Sequence, residues 1–475
     1  MKKTRKIFKD PLSQKDQYML LPLSVNDFIT EDSEARIIDE IINSMDHSEL
    51  IGKYTGGGAS AYNPIMLLKI LIYAGCNGIR SSRVIEKLLH KDLEYMYLSE
   101  MSKPNFRTIS DFRKDNLEAL ENVFRETVKM SMKMGIVLLK HVSVDGTRLE
   151  ANVSKDNSFN KERLEKALER AENRISEIMA EWDEADKEED KLYGDSNGRD
   201  IKDSLRKAEA RKKKLEEIKA EMEKEGINTI GWTDKDSRLM KTKGGVRAGY
   251  NLQAVVDSES QIIIANEVSQ ESADNGLLPD MLEEAKKNTG EKPEIVTADG
   301  GYYSPESLKY ADKENVDLYI PNKRGQEEQK NKFKYDESKD VYICPAGNEL
   351  TYYKTRKRGD YTCRLYRLKC GSCPLSTTCE HANKSRKVEK WVRLDGQLQD
   401  AMAKKVSSPE GKKIYKQRMS IIEPVFGNIK HNKGFNKLRL RGLDGVDIEW
   451  NLGCIWHNIG KILRYWAERK VLLGI

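Results

Sequence analysis

Strand-like apolar runs alternate with helical segments between residues 141 and 321, and this alternation constrains the fold more than any other feature. The run at 141–149 alternates in the manner of a strand, and 249–257 with 261–269 predicts an antiparallel hairpin across a polar turn. The run at 294–303 predicts a buried strand that enters a glycine turn. Because helical segments separate these strands, we expect an α/β core with mixed strand directions.

The first interruption of this core, residues 160–226, carries a helical heptad seam. Its apolar residues are spaced alternately by four and three positions: Leu164, Leu168, Ala171, Ile175, Ile178, Trp182 and Ala185. A looser apolar pattern continues on a second helix after a polar turn, so we predict an antiparallel helical hairpin. Its charges nearly cancel, with 17 basic and 20 acidic residues over 161–224, which suits protein contact better than DNA. A passive insertion is the alternative.

The second interruption, residues 322–390, holds five of the seven cysteines. A CxxC pair followed by a third thiol predicts a tetrahedral zinc site, which would stabilise a segment poor in apolar residues. We expect the ligands to be Cys344, Cys370, Cys373 and Cys379, with Cys363 or His381 as substitutes. Free or redox-active thiols are the alternative.

The remaining segments complete the predicted domain organisation. We predict that residues 1–61 form an arm and a first helix. Residues 62–135 predict a helical domain, either a helix-turn-helix-like DNA-binding unit or a plain bundle. The core comprises 141–159 together with 227–321, and residues 391–475 complete it with a basic helical region and a C-terminal helix.

A dense basic segment runs from Lys404 to Arg441. It contains eleven Lys or Arg residues against two acids, one of them Glu423, and so has a net charge of +9, whereas the whole chain has +6. Such a segment is typical of proteins that bind a polyphosphate such as DNA, because each phosphate that a Lys or Arg neutralises releases condensed counterions. A solvated surface helix is the alternative.

Pro424 either begins a helix or bends a longer one that starts near Pro409, and we favour the longer helix.

Three carboxylates are candidate catalytic residues. Asp145 and Asp299 each follow an apolar run and precede a glycine, so both should emerge at strand ends, although ordinary turn residues fit the same pattern. Glu423 is the third. Two unit charges about 4 Å apart repel by roughly 4 kcal/mol at an effective dielectric of about 20, so three converging carboxylates require cations. Their oxygens suit Mg²⁺, and two such ions can promote in-line phosphodiester displacement.

Three motifs resemble those of a known family. VSVDGTRLEAN, TADGGYYS and RMSIIEPVFGNIK resemble bacterial insertion-sequence transposases of the DDE type, with most similarity to the group numbered eleven eighty-two, which is related to insertion-sequence-four and -five elements. The resemblance implies a ribonuclease-H-like α/β core with a helical N-terminal domain, a helical-hairpin insertion and a cysteine-rich insertion. It also implies that Asp145, Asp299 and Glu423 form a catalytic triad that binds Mg²⁺ or Mn²⁺. Such an enzyme cuts double-stranded DNA at the element ends and joins the freed 3′-hydroxyl to target DNA.

The same resemblance suggests DNA contacts in the basic segment. Tyr415, Arg418, Glu423 and Lys430 resemble the insertion-sequence-four pattern, except that four residues rather than three separate the arginine from the glutamate. We expect six residues to contact DNA: Tyr415, Arg418, Lys430, Lys433, Arg439 and Arg441. Because two DNA ends must be held together, we expect a homodimer or higher oligomer on DNA.

Two other functions fit parts of the sequence. A non-catalytic DNA-binding protein or repressor derived from a transposase would use the helical N-terminus, the basic segment and the cysteine cluster. A scaffold would use the heptad hairpin. No apolar run reaches the roughly 20 residues of a membrane span, and no apolar segment follows the basic N-terminus, so we expect a cytoplasmic protein. The resemblance to transposases implies association with the bacterial nucleoid.

Overall fold

The computed structural model describes residues 24–54, 61–154, 158–189, 198–322, 334–336, 338–344, 346–358, 361–368, 386–393 and 396–473. The chain divides into two compact units, the first ending at Asn116 and the second beginning at Leu117. The division falls inside the predicted helical domain 62–135, because the helix Leu117–Lys133 packs on the helix Leu443–Leu473 of the second unit. The other predicted domain boundaries stay predictions. None of the described helices is long and apolar enough to cross a membrane.

The described residues of the first unit form helices joined by short connections, with no strand among them. A 3-10 turn at Val25–Phe28 precedes the helices Glu34–Asn43 (α1), Ser48–Gly52 (α2), Pro64–Cys76 (α3), Ser82–Leu88 (α4), Leu93–Leu98 (α5) and Phe106–Asp115 (α6). A proline in the first turn and the side chain of Asn63, which accepts a backbone hydrogen bond, start α3. The residues of α3 from Met66 to Gly75 are all buried, so it is the central helix of this unit. Lys69 inside this core is neutralised by Asp39 at 2.6 Å.

The second unit combines helices and strands, which confirms the predicted mixed α/β fold with a helical N-terminal region. Its described helices are Leu117–Lys133 (α7), Lys161–Glu189 (α8), Gly198–Glu225 (α9), Leu278–Thr289 (α10), Pro305–Glu314 (α11), Gly396–Ser407 (α12), Pro409–Gly427 (α13) and Leu443–Leu473 (α14). Its described strands are His141–Glu150 (β1), Ser158–Asn160 (β2), Thr229–Gly231 (β3), Arg238–Thr242 (β4), Gly245–Asp257 (β5), Ile263–Ser269 (β6), Ile295–Ala298 (β7), Asp317–Tyr319 (β8), Lys334–Asp336 (β9), Val341–Ile343 (β10), Glu349–Arg358 (β11), Tyr361–Leu368 (β12) and Arg386–Arg393 (β13).

A six-stranded mixed sheet forms the core of the second unit. Its strands lie in the order β4–β5–β1–β7–β8, and β6 also pairs with β5. Strand β5 is antiparallel to β1 and β6, which confirms the predicted hairpin, whereas β7 and β8 continue the sheet in parallel. The first four residues of β1 and the last three of β7 are buried, as expected for central strands covered on both faces.

Two C-terminal helices pack on this sheet. Helix α13 begins at Pro409, lies against β1 and β7, and continues through Pro424 into a π-helical turn at Asn428–Asn432, which confirms the predicted longer helix. Asn458 of α14 is fully buried and bonds both backbone groups of Ile263 at 2.9 Å. These bonds supply partners for the backbone N–H and C=O of one residue at the outer edge of β6, where no further strand pairs.

The first insertion is a pair of helices, α8 and α9, joined at their base by the antiparallel strands β2 and β3. Leu164 and Ala171 of the heptad seam are buried within this pair, in one cluster with Leu215 of α9. The side chains of Trp182 and Ala185, at the far end of the predicted seam, lie outside the described residues. Much of the described part of the seam is therefore buried by contacts within one chain.

The second insertion contains an antiparallel sheet in the order β13–β12–β11–β10–β9. Cys344, a predicted zinc ligand, is a buried free thiol packed among Tyr342, Leu350 and Tyr366. The other three predicted ligands, Cys370, Cys373 and Cys379, lie outside the described residues. Of the two substitutes, His381 also lies outside them, and the side chain of Cys363 is not described. The described residues therefore give no support to a zinc site.

Candidate active site

Asp145 and Asp299 lie side by side on two adjacent parallel strands. Asp299 directly follows the end of β7, as predicted, whereas Asp145 lies in the middle of β1, which continues to Glu150, so the predicted strand end at Asp145 is wrong. Val144 pairs with Ala298 at the last register position of β1 and β7, so the two aspartates take the next positions on neighbouring strands. Such strands lie about 4.8 Å apart. Asp145 accepts a hydrogen bond from the next amide at 2.9 Å, and Asp299 accepts one from the amide two residues on at 2.6 Å. The structure therefore brings these two predicted residues together.

Arg418 supplies positive charge to this pair. Its guanidinium reaches from α13 and donates a hydrogen bond to Asp145 Oδ2 at 2.8 Å, with 12% of the arginine side chain exposed. Burial raises the pKa of Asp145, Arg418 opposes that rise, and the negative charge of Asp299 adds to it. Because the pKa stays above its usual value despite the arginine, one guanidinium does not fully compensate the burial and repulsion of the carboxylates.

Glu423 lies on α13 between two residues that contact β1. Arg418 bonds Asp145 from five positions earlier, and Lys430, seven positions later, donates to Thr147 Oγ1. Five helical residues correspond to a rotation of about 140°, so Glu423 does not share the inward direction of Arg418, and its side chain is exposed. The structure does not join it to the two aspartates. In the described part of the chain, no group of three or more His, Cys, Asp or Glu side chains is arranged to hold a metal ion.

The remaining predicted DNA contacts occupy different positions. The Tyr415 ring lies 5.9 Å from the guanidinium of Arg418, beside the aspartate pair. Arg439 and Arg441 are exposed, as the prediction requires. Lys433 is instead buried beneath α14, so it presents little surface to a phosphate, and the sequence could not indicate this because the covering helix is distant in the chain.

Asp274 is a further carboxylate beside the pair that the sequence patterns did not indicate. Its Oδ1 accepts hydrogen bonds from Asn251 at 2.7 Å and from Gln253 at 3.1 Å. A Cβ placed on Gly301 would stand 3.1 Å from Asp274 Oδ2 and 3.6 Å from Asp299 Oδ1, so the two carboxylates flank that glycine. Amide side chains at alternate positions of the buried strand β5 were the available signal, because buried amides require partners.

A buried tyrosine connects this polar layer to the aspartate pair. Tyr302 follows Asp299 by three residues and donates a hydrogen bond to Gln253 Oε1. Burial, and then the negative charges of Asp274, Asp145 and Asp299, raise the pKa of Tyr302. The phenol therefore stays protonated and remains a donor, which holds the turn after β7 against β5.

Gly146, directly after Asp145, has no room for a side chain. A Cβ there would lie 2.4 Å from Gln253 Nε2 and 2.9 Å from Asn251 Oδ1. We expect Gly146→Ala to displace the glutamine and lower the free energy of unfolding by about 1–3 kcal/mol, measured by urea denaturation. Gly427→Ala is the control, because a Cβ at that helical glycine meets nothing within 4 Å. Equal stability of the two variants would contradict the expected clash.

Two family models match separate parts of the chain. One, described as "Transposase DDE domain", matches residues 343–463, and the other, described as "Transposase domain (DUF772)", matches residues 23–115. The first match includes Glu423, whereas Asp145 and Asp299 lie outside both matches. Together the matches support a DDE-type transposase.

No curated protein matches the sequence. Among solved structures, the chain is similar to a cryo-EM structure of a piggyBac transposase synaptic complex with hairpin DNA. The sequences are 12% identical, the alignment covers 91% of this chain and 72% of that chain, and the TM-score is 0.32. A similarity of this size carries no argument here about fold or mechanism.

Proposed function

We propose that this chain is a transposase of the eleven-eighty-two type that cuts double-stranded DNA at the ends of an insertion sequence and joins the freed 3′-hydroxyls to target DNA. The observation that carries the proposal is the adjacency of Asp145, within β1, and Asp299, directly after β7, with Arg418 of a basic helix contacting Asp145. The proposal includes a ribonuclease-H-like core. Its support is the central strand β1, which has antiparallel strands on one side and parallel strands on the other.

The residues at this site fit a divalent cation. Asp145 and Asp299 offer hard carboxylate oxygens, which Mg²⁺ and Mn²⁺ prefer, and Arg418 leaves the pKa of Asp145 raised. The proposal takes Glu423 as the third ligand, which requires its exposed side chain to turn toward the aspartates when the cation binds, because the structure does not join it to them. When bound, divalent ions supply Lewis-acid stabilisation of the attacking and leaving oxygens of a phosphodiester.

The basic residues around the aspartates would hold the DNA. Lys430 stands at Thr147, two positions beyond Asp145 on β1, where it can bind a phosphate near the reacting one. Arg439 and Arg441 would bind phosphates farther along the duplex. Because two ends must be processed together, we propose a homodimer or higher oligomer on DNA.

Metal-dependent cutting of the element's own ends tests this function. The full chain is incubated with a duplex that carries the inverted repeats flanking its reading frame. We expect nicks at the repeat ends with Mg²⁺ or Mn²⁺ and none with EDTA. The absence of any cleavage product under every divalent ion would contradict the proposal.

A repressor is the second candidate, and the exposed position of Glu423, apart from the two aspartates, favours it. Such a protein would bind the inverted repeats without a metal ion and would give no cleavage product. The same incubation, followed by a binding measurement in EDTA, separates the two functions.

We propose that the first unit recognises the element ends. Helices α4 and α6 pack on each other and expose basic residues, including Arg83 and Arg107. We expect Arg83→Glu with Arg107→Glu to weaken binding of the inverted repeats at least about tenfold, because phosphate attraction becomes repulsion. A nuclease footprint measures the loss of protection. Lys53→Glu, at an exposed lysine after α2, is the control, and an unchanged footprint in the double variant would refute the assignment.

A further inference from the structure

The hairpin formed by β4 and β5 ends in an exposed basic tip. From Arg238 to Arg247 the sequence has four basic residues and no acid. Lys241 and Lys243 are exposed, and Arg247 is partly exposed. Within the described part of the chain, neither lysine has an acidic partner. The φ of +94° at Gly245, which glycine adopts readily, closes the turn.

This tip lies beyond the end of β1, the strand that carries Asp145. Glu150, the last residue of β1, accepts a hydrogen bond from Thr242 Oγ1 at 3.3 Å, and it lies 3.8 Å from Lys437 Nζ. Glu150 therefore positions the hairpin beside the basic C-terminal segment. The hairpin continues the sheet in the direction that runs from Asp145 through Thr147 to Glu150.

The charge of the tip adds to that of the candidate active site. Lys430, which contacts Thr147, has its pKa lowered by burial and then by the nearby positive charge of Lys243. Two lysines from separate elements, one on the hairpin and one after α13, thus contribute to a single positive field. Among the described residues, the carboxylate that contacts the tip is that of Glu150, and it faces Lys437 as well. Against Lys241, Lys243 and Arg247 it leaves the tip with a net positive charge, so an external anion is the natural partner.

We propose that Lys241 and Lys243 bind the phosphate backbone of the DNA duplex whose end lies at Asp145. The inference rests on the proposed function, since it assumes that DNA occupies the site. Glu150 lies five positions after Asp145 along β1, a span of about 17 Å at roughly 3.3 Å per residue. One DNA strand advances about 3.4 Å per nucleotide, so the tip contacts the backbone about five nucleotides from the reacting phosphate.

The salt dependence of binding tests this inference without a known target sequence. The probe is a random-sequence duplex of roughly 30 base pairs, because phosphate contacts are independent of sequence. The full chain with Lys241→Ala and Lys243→Ala is compared with the native chain and with a charge-matched control, Lys287→Ala and Lys313→Ala. The control lysines are exposed on α10 and α11.

We expect the slope of log Kd against log salt concentration to fall by about 1.8 in the hairpin variant, since each lost phosphate contact removes about 0.9. The control should keep a slope near that of the native chain. A slope in the hairpin variant equal to that of the control would overturn the inference, and so would a native chain that does not bind the duplex. A reduced slope in a chain that never cuts DNA would support the hairpin contact while contradicting the cutting function.

Discussion

Asp145→Asn is expected to reduce DNA cleavage by at least about a thousandfold, which corresponds to about 4 kcal/mol of lost transition-state stabilisation. Asparagine keeps the shape of the side chain but lacks the negative charge that a divalent cation requires. Asp299→Asn should have an effect of the same order, because the two residues occupy equivalent positions on adjacent strands. Single-turnover cleavage of a duplex with the element ends, in Mg²⁺, measures the loss.

A surface aspartate provides the matched control for this substitution. Asp312 lies exposed on α11, so Asp312→Asn should cut at the native rate. Asp145→Asn should also remain folded, because burial raises the pKa of that aspartate and a neutral amide avoids the cost of burying its charge. Cleavage within tenfold of the native rate in both aspartate variants would remove Asp145 and Asp299 from the chemistry.

Arg418→Ala is expected to destabilise the protein by about 2 kcal/mol or more at neutral pH in EDTA. The substitution leaves a largely buried Asp145 carboxylate without its 2.8 Å partner and with a second aspartate beside it. Urea denaturation measures the free energy of unfolding. Because a divalent cation would replace the lost positive charge, Mg²⁺ should stabilise this variant more than it stabilises the native chain.

The pH dependence of this destabilisation follows from the raised pKa of Asp145. When the pKa of a carboxyl group is raised in the folded state, the folded state opposes its ionisation. The free energy of unfolding of the protein therefore falls as the pH rises above 3.8, the ordinary pKa of an aspartate. Without Arg418 this pKa rises further, so the deficit of the variant should be larger at pH 7.5 than at pH 5. Arg418→Lys, which keeps the charge, should recover part of the loss. A deficit that is the same at both pH values would contradict this account.

The aspartate pair was predictable because its signal is local. In each case an apolar run specifies a buried strand that leads into an Asp-Gly pair, and the parallel register of the two strands came from the fold. The Asp-Gly pair marks the end of β7 but not of β1, because β5 pairs with β1 as far as Glu150, which the local sequence does not reveal. Asp274 was not predictable in this way. It follows β6 in a loop, and its place beside Asp299 depends on amide partners on β5, which the sequence separates from it by about twenty residues.

The basic segment shows the opposite limit. Net charge predicts a surface that attracts DNA, and the exposed Arg439 and Arg441 agree with it. Charge does not reveal which basic side chains of the segment point into the protein. Arg418 bonds Asp145, and Lys433 is buried beneath α14. The same holds for Asn458, whose polar character suggests a surface position but whose two bonds to Ile263 satisfy the edge of β6. These positions depend on tertiary packing, which periodicity does not encode.

The most direct test of a shared metal site at residues 145, 299 and 423 is mapping with Fe²⁺ bound in place of Mg²⁺. Ascorbate and peroxide then generate hydroxyl radicals at the iron, which cut the nearby polypeptide backbone. The account predicts cuts close to Asp145, Asp299 and Glu423 that disappear when both aspartates are changed to asparagine. Cuts confined to other segments, or a pattern unaffected by the double substitution, would contradict it.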